Sequence, residues 1–216
     1  MSDIFSSFIL VFAGLFPVVN PLGAAPIFLS LTADCTAEQR DRLAWNVAFN
    51  GFWLLFGSLF FGAVILEFFG IGIPVVRVAG GLLVAAMGWN LISGDSASSD
   101  HKTIDPDSGP PQSFYPLTLP LTVGPGAIAV AITFGSHRAP GESATHHMLV
   151  IAAAIGGLLA VAASIYVCFR FAERLSRTLG QTGINVLIRL SAFILICIGI
   201  QICWSGISKL VAELGH

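Results

Sequence analysis

The stretch "LFPVVNPLGAAPIF", Leu15–Phe28, sets Pro17, Pro21, Pro26, Gly23 and Asn20 inside an apolar run long enough to cross a bilayer. Each proline lacks an N–H and clashes with the carbonyl four residues before it. In lipid no water replaces a lost backbone hydrogen bond, so freed groups must be buried in protein or line a wet cavity. The run therefore reads as a membrane span broken near its middle, with the opening at Val19–Leu22 turned into the protein.

The rest of the chain supports a membrane setting. Of 216 residues, 55% are hydrophobic and 10% charged, with a mean hydropathy of +0.85, where soluble domains carry about 25% charge. Apolar blocks near 4–31, 43–69, 73–93, 114–136, 147–169 and 185–208 each approach or exceed the roughly 20 residues that hydrocarbon requires. They lack the strict alternation of an outer-membrane barrel. The expected fold is an all-α integral membrane protein with six transmembrane helices and the lipid bilayer as its solvent. No Lys or Arg precedes the first apolar run and no small-residue cleavage site follows it, so the N-terminus reads as a retained first span.

Charge gives orientation and excludes some partners. With the N-terminus on side one, Arg40, Arg42, Lys102, Arg170, Arg174, Arg177 and Arg189 fall on side two, against Arg77, Arg138 and Lys209 on side one. The positive-inside rule makes side two cytoplasmic and places both termini outside. A net charge of −2 gives no reason to expect nucleic acid. Glu67, Arg77, Arg170, Glu173 and Lys209 lie near segment ends, where charged tips can snorkel to water.

A second broken span mirrors the first. Laying "NPLG" at 20–23 on "GPGA" at 124–127, an offset of 104 residues, makes each motif interrupt the first of three spans. "LPLTVGPGAIAVAI", Leu119–Ile132, is thus the partner of the opening stretch. At an offset of 111 residues, Gly80 falls on Ser191, Gly81 on Ala192, Gly88 on Gly199 and Asn90 on Gln201. A unit with an odd number of spans reverses direction in its second copy. The pattern therefore predicts a 3+3 inverted repeat, with helices 1 and 4 discontinuous: repeat one at 1–93, a polar acidic loop at 94–113, and repeat two at 114–216. In transporters of this plan the two broken helices mark a binding site near the bilayer midplane.

The expected site follows from the breaks. New helix N-termini near Gly23–Ala25 and Gly126–Ile128 would offer N–H groups and a positive dipole end to a carboxylate or other anion. The preceding half-helices end in free carbonyls suited to a cation or ammonium group. The candidate substrate-binding residues are Asn20, Pro21, Leu22, Gly23, Ala24, Thr122, Gly124, Pro125, Gly126 and Ala127, with Asn90 and Gln201 as further amides. The last two could equally serve as interhelical glue. Gly80, Gly81, Ser191 and Ala192 offer small faces for close helix contact, and the oligomeric state stays open.

Catalysis has no visible apparatus: no GxSxG, Walker A or zinc motif occurs. His137, His146 and His147 with Glu142 read as solvated loop residues rather than metal ligands. Cys35, Cys168, Cys197 and Cys203 form no CxxC and read as small packing residues. No cofactor, metal or enzymatic activity is expected.

The segments "FPVVNPLGAAPIFLSLT" (Phe16–Thr32), "PLTLPLTVGPGAIA" (Pro116–Ala129) and "RVAGGLLVAAMGWNL" (Arg77–Leu91) resemble the MarC family of bacterial and archaeal inner-membrane proteins. The resemblance implies transport of small neutral amino acids such as glycine and alanine, with coupling to Na+ or H+ suggested. By it, Asn20, Pro21 and Gly23 match the first motif, and Gly124, Pro125 and Gly126 the second. A passive channel, an exporter of another small solute, and a structural or regulatory membrane protein without substrate are the competing expectations.

Overall fold

The computed structural model describes residues 2–93, 113–136 and 144–214. The acidic loop, apart from Ser113, lies outside them, as do His137 and Glu142. Among the described residues every regular element is a helix: α1 (Ser2–Val19), α2 (Pro21–Leu31), α3 (Ala37–Phe68), α4 (Ile73–Ser93), α5 (Ser113–Thr122), α6 (Pro125–Gly135), α7 (Ala144–Arg170) and α8 (Ala172–Leu214). Phe5–Leu31, Ala37–Phe68, Ile73–Ser93, Met148–Arg170 and Thr182–Glu213 are each long and apolar enough to cross a membrane. The bent pair of α5 and α6 makes a sixth span if counted as one. Outside the α5–α6 segment and the Asn20 turn, the described spans are continuous helix, as the backbone's need for internal hydrogen bonds demands.

Local chemistry sets the boundaries. A capping box opens α3: Gln39 N–H donates to Thr36 Oγ1 at 3.3 Å, and Thr36 N–H donates to Gln39 Oε1 at 2.9 Å, satisfying two donors that have no intrahelical partner. This start precedes the apolar block by six residues, because Ala37–Arg42 form a polar opening of nearly two turns outside the hydrocarbon. The helix stops at Gly70, whose φ of 71° lets Ile71 N–H reach back to Leu66 O at 2.9 Å, a Schellman closure. Gly180 (φ 62°, ψ 177°) breaks α8, separating a charged first part from its apolar span.

The irregular segment is α5. Tyr115 (φ −124°, ψ 126°) and Leu119 (φ −109°, ψ 127°) are extended, each being the residue before a proline, where the helical region is sterically disfavoured. The sequence repeats as Tyr-Pro-Leu-Thr, Leu-Pro-Leu-Thr, and each threonine answers its proline in the same way. Thr118 Oγ1 donates to Ser113 O at 2.7 Å and Thr122 Oγ1 to Leu117 O at 2.8 Å. Both threonines are buried, so these bonds occupy carbonyls that would otherwise face a dry interior.

Packing ties the two halves together. α4 lies along α8, α3 against α6 and α7, and α1 against α7. Phe28 of α2 stacks on Phe169 of α7 with ring centroids 4.4 Å apart, both fully buried. The α4–α8 seam is built on backbone approach: a Cβ on Gly81 would stand 2.5 Å from Gly199 O, one on Gly199 2.6 Å from Gly81 O, and one on Gly88 2.6 Å from Ala192 O. Small residues at these positions let the helices meet where apolar lipid supplies no hydrophobic drive. Arg77 departs from the snorkelling expectation. It is only 6% exposed and its Nη1 donates to Ser205 Oγ at 3.2 Å across the seam.

Candidate functional site

The first break is a single residue wide. Asn20 adopts left-handed backbone angles (φ 48°, ψ 56°), a conformation that asparagine tolerates better than most side chains. The helical ladder nevertheless passes through it: Asn20 N–H donates to Phe16 O at 2.9 Å, and Ala24 N–H donates to Asn20 O at 3.0 Å. Its side chain folds back so that Oδ1 accepts Gly23 N–H at 3.2 Å. This is an N-cap, with Pro21 in the first helical turn, where the missing N–H costs nothing. Gly23 completes the unit, because a Cβ there would lie 2.3 Å from Asn20 Nδ2. "NPLG" is therefore a self-capping interruption, and Phe5–Leu31 continues through it as one span.

The second break is wider. α5 and α6 meet at 70°, with Val123 as a bend and Gly124 in extended conformation (φ −81°, ψ 172°) before Pro125. No side chain caps α6. Val123 N–H donates to Thr118 O at 2.8 Å and Ile128 N–H to Gly124 O at 3.2 Å. The N–H groups of Gly126 and Ala127 fall in the first turn, where an intrahelical acceptor does not exist. Both residues are buried, as is Gly124, whereas Pro125 is exposed.

The surroundings of this second break come from α4. A Cβ on Gly124 would meet Met87 Cε at 3.2 Å, and one on Gly126 would meet Val84 Cγ2 at 2.5 Å. The breaks are joined through their half-helices, α1 lying against α6 and α2 against α5. Of the residues expected at the site, Pro21, Gly23, Ala24, Thr122, Gly124, Gly126 and Ala127 are buried; Asn20 and Leu22 are half-buried. Asn90 and Gln201 lie on exposed faces of α4 and α8. Asn20 Oδ1 and the Thr122 hydroxyl proton are already used within the chain, leaving the Asn20 NH2 group and the Thr122 oxygen lone pairs for other contacts.

One charged cluster escaped the sequence reading. Arg40 at the start of α3 reaches Glu173 of α8 at 3.4 Å, and its Nη2 donates to Thr32 O at 3.2 Å and Cys35 O at 3.3 Å. Asp41 pairs with Arg170 at 2.8 Å and accepts from Tyr166 Oη at 3.1 Å. Burial pushes the Cys35 thiol up, Arg40 opposing and Asp34 adding to the rise. A cavity of about 340 Å³ lies at this end, lined by Ala37, Glu38, Arg40, Asp41, Arg170, Phe171, Glu173 and Arg174. The sequence signal was present in the charged residues flanking spans two, five and six, but their pairing required the fold.

Comparison with known proteins gives one consistent result. Residues 5–211 match the family described as "MarC family integral membrane protein". The chain is 36% identical over 202 residues to membrane protein YhcE of Escherichia coli (strain K12), covering 91% of this chain and 89% of that one. It is 29% identical over 218 residues to inner membrane protein MarC of Salmonella typhimurium, covering 98% of each. No solved structure matches.

Proposed function

The chain belongs to the MarC family of integral membrane proteins, and on that premise we propose that it is a secondary transporter of small neutral amino acids, glycine- or alanine-like, working by alternating access in an inner membrane. The observation that carries this reading is the N-terminus of α6, opened by Gly124–Pro125, where Gly126 and Ala127 are buried and no side chain caps the helix. A substrate carboxylate is suited to the Gly126 and Ala127 N–H groups, where the helix dipole favours negative charge. Its ammonium group would face carbonyls freed at the breaks and the Thr122 oxygen, with small Ala127 leaving room for a compact side chain.

Matching contacts in the two halves of the chain support this mechanism. Under the 111-residue offset the contact of Gly81 with Gly199 maps onto that of Ala192 with Gly88, and the contact of Ala85 with Gly199 onto that of Ile196 with Gly88; each has a short approach in the structure. The half-helices follow the same exchange: α1 on α6 with α5 on α2, α2 on α8 with α6 on α4, and α1 on α7 with α5 on α3. Two repeats related in this way can rock against each other around a central site. In this reading the pairs Arg40–Glu173 and Asp41–Arg170 latch repeat one to repeat two at the end that basic residues assign to the cytoplasm, above the Phe28–Phe169 stack. Both termini then lie outside. Coupling to Na+ or H+ would supply the driving force.

Counterflow of labelled alanine and glycine in liposomes carrying the purified protein tests the proposal. Saturable exchange driven by unlabelled amino acid inside the vesicle is the expected result. Absence of saturable flux under both sodium and proton gradients overturns it, and non-saturating flux without counterflow identifies a passive channel instead.

A further inference from the structure

Gln201 is out of place on a lipid-facing surface. Arg189 and Lys209, both exposed, bound an uncharged stretch at 190–208 in α8. Gln201 lies two residues from the centre of that stretch, about 3 Å along the axis at 1.5 Å per residue. It is exposed, and among the described residues nothing pairs its carboxamide. Ile194, Cys197, Ile200 and Trp204 share its outward stripe. Hydrocarbon offers no donor or acceptor at this depth, so an unpaired amide there is disfavoured.

We propose that the outward face of α8 around Gln201 is a self-association surface whose occupant is a second copy of this chain. A two-fold axis along the membrane normal brings each residue to its own counterpart at equal depth. A carboxamide carries both donor and acceptor, so two Gln201 side chains can exchange a reciprocal pair of hydrogen bonds. A different membrane partner would have to present a polar group at this same depth, whereas a second copy does so by symmetry. Cys197, one helical turn before Gln201 on the same stripe, then lies next to its own counterpart. This pairing does not depend on what the protein carries.

The test is the mass of the purified protein in lipid nanodiscs. Wild type and Trp53→Leu, a change on the exposed face of α3, are expected to give two chains per particle. Gln201→Leu, a change that suits lipid at an exposed position, is expected to give one chain per particle with unchanged helical content by circular dichroism. A wild-type particle of one chain, or one whose size Gln201→Leu leaves unchanged, overturns the proposal.

Discussion

The two interruptions look alike in sequence and differ in kind. At Asn20 the side chain caps the helix it opens, the ladder runs on, and the span continues as one. At Gly124 no side chain closes the gap, two prolines upstream leave extended residues, and the halves meet at 70°. The same punctuation, a residue favoured at caps followed by proline, thus gives one sealed break and one open one. The difference is a single side chain: asparagine carries its own acceptor, and glycine carries none. An open helix start inside a membrane protein invites an anion; a sealed one provides shape.

The largest expected effect is at the open break. Gly126→Leu drives its side chain into Val84, and overpacking of this kind costs about 1–3 kcal/mol, occasionally more. Thermal unfolding in detergent should show the loss, and Val84→Ala should recover much of it while leaving transport impaired. Full recovery of transport in the double variant would move the site away from Gly126.

Next comes the sealed break. Asn20→Ala removes the cap and the tolerance for left-handed angles, a loss of about 1–2 kcal/mol, whereas Asn20→Gly keeps the backbone freedom and should cost only a few tenths of that scale in kcal/mol. Equal destabilisation by the two would show that capping geometry is not what holds this turn. A smaller effect belongs to Thr122→Val, which frees Leu117 O and should cost about 1 kcal/mol. Smallest is Glu173→Gln at the partly exposed latch, worth about 0.2–1 kcal/mol and screened by salt. Its readout is kinetic: faster exchange at low ionic strength, converging on wild type at high salt.

Much of the fold could be read from the chain because lipid imposes it. Hydrophobic length marked the spans, because that signal does not depend on what packs nearby, and the proline–glycine clusters fall at the Asn20 turn and at the α5–α6 bend. The helix start near Gly23–Ala25 was expected to be open to an anion; instead the left-handed turn at Asn20 brings Oδ1 onto Gly23 N–H and closes it, a contact that appears only in three dimensions. Arg77 looked free to snorkel; its burial depends on how closely α8 approaches, which Gly81, Gly88 and Gly199 allow. Asn90 and Gln201 matched each other in the repeat, yet pairing in sequence did not reveal that both face outward.

The most direct measurement is a structure determined at saturating alanine. Density for the amino acid is expected at the start of α6, with its carboxylate within hydrogen-bond reach of the Gly126 and Ala127 N–H groups. Density at another site, or an empty α6 N-terminus while alanine is demonstrably bound, would contradict the assignment of the open break as the substrate site.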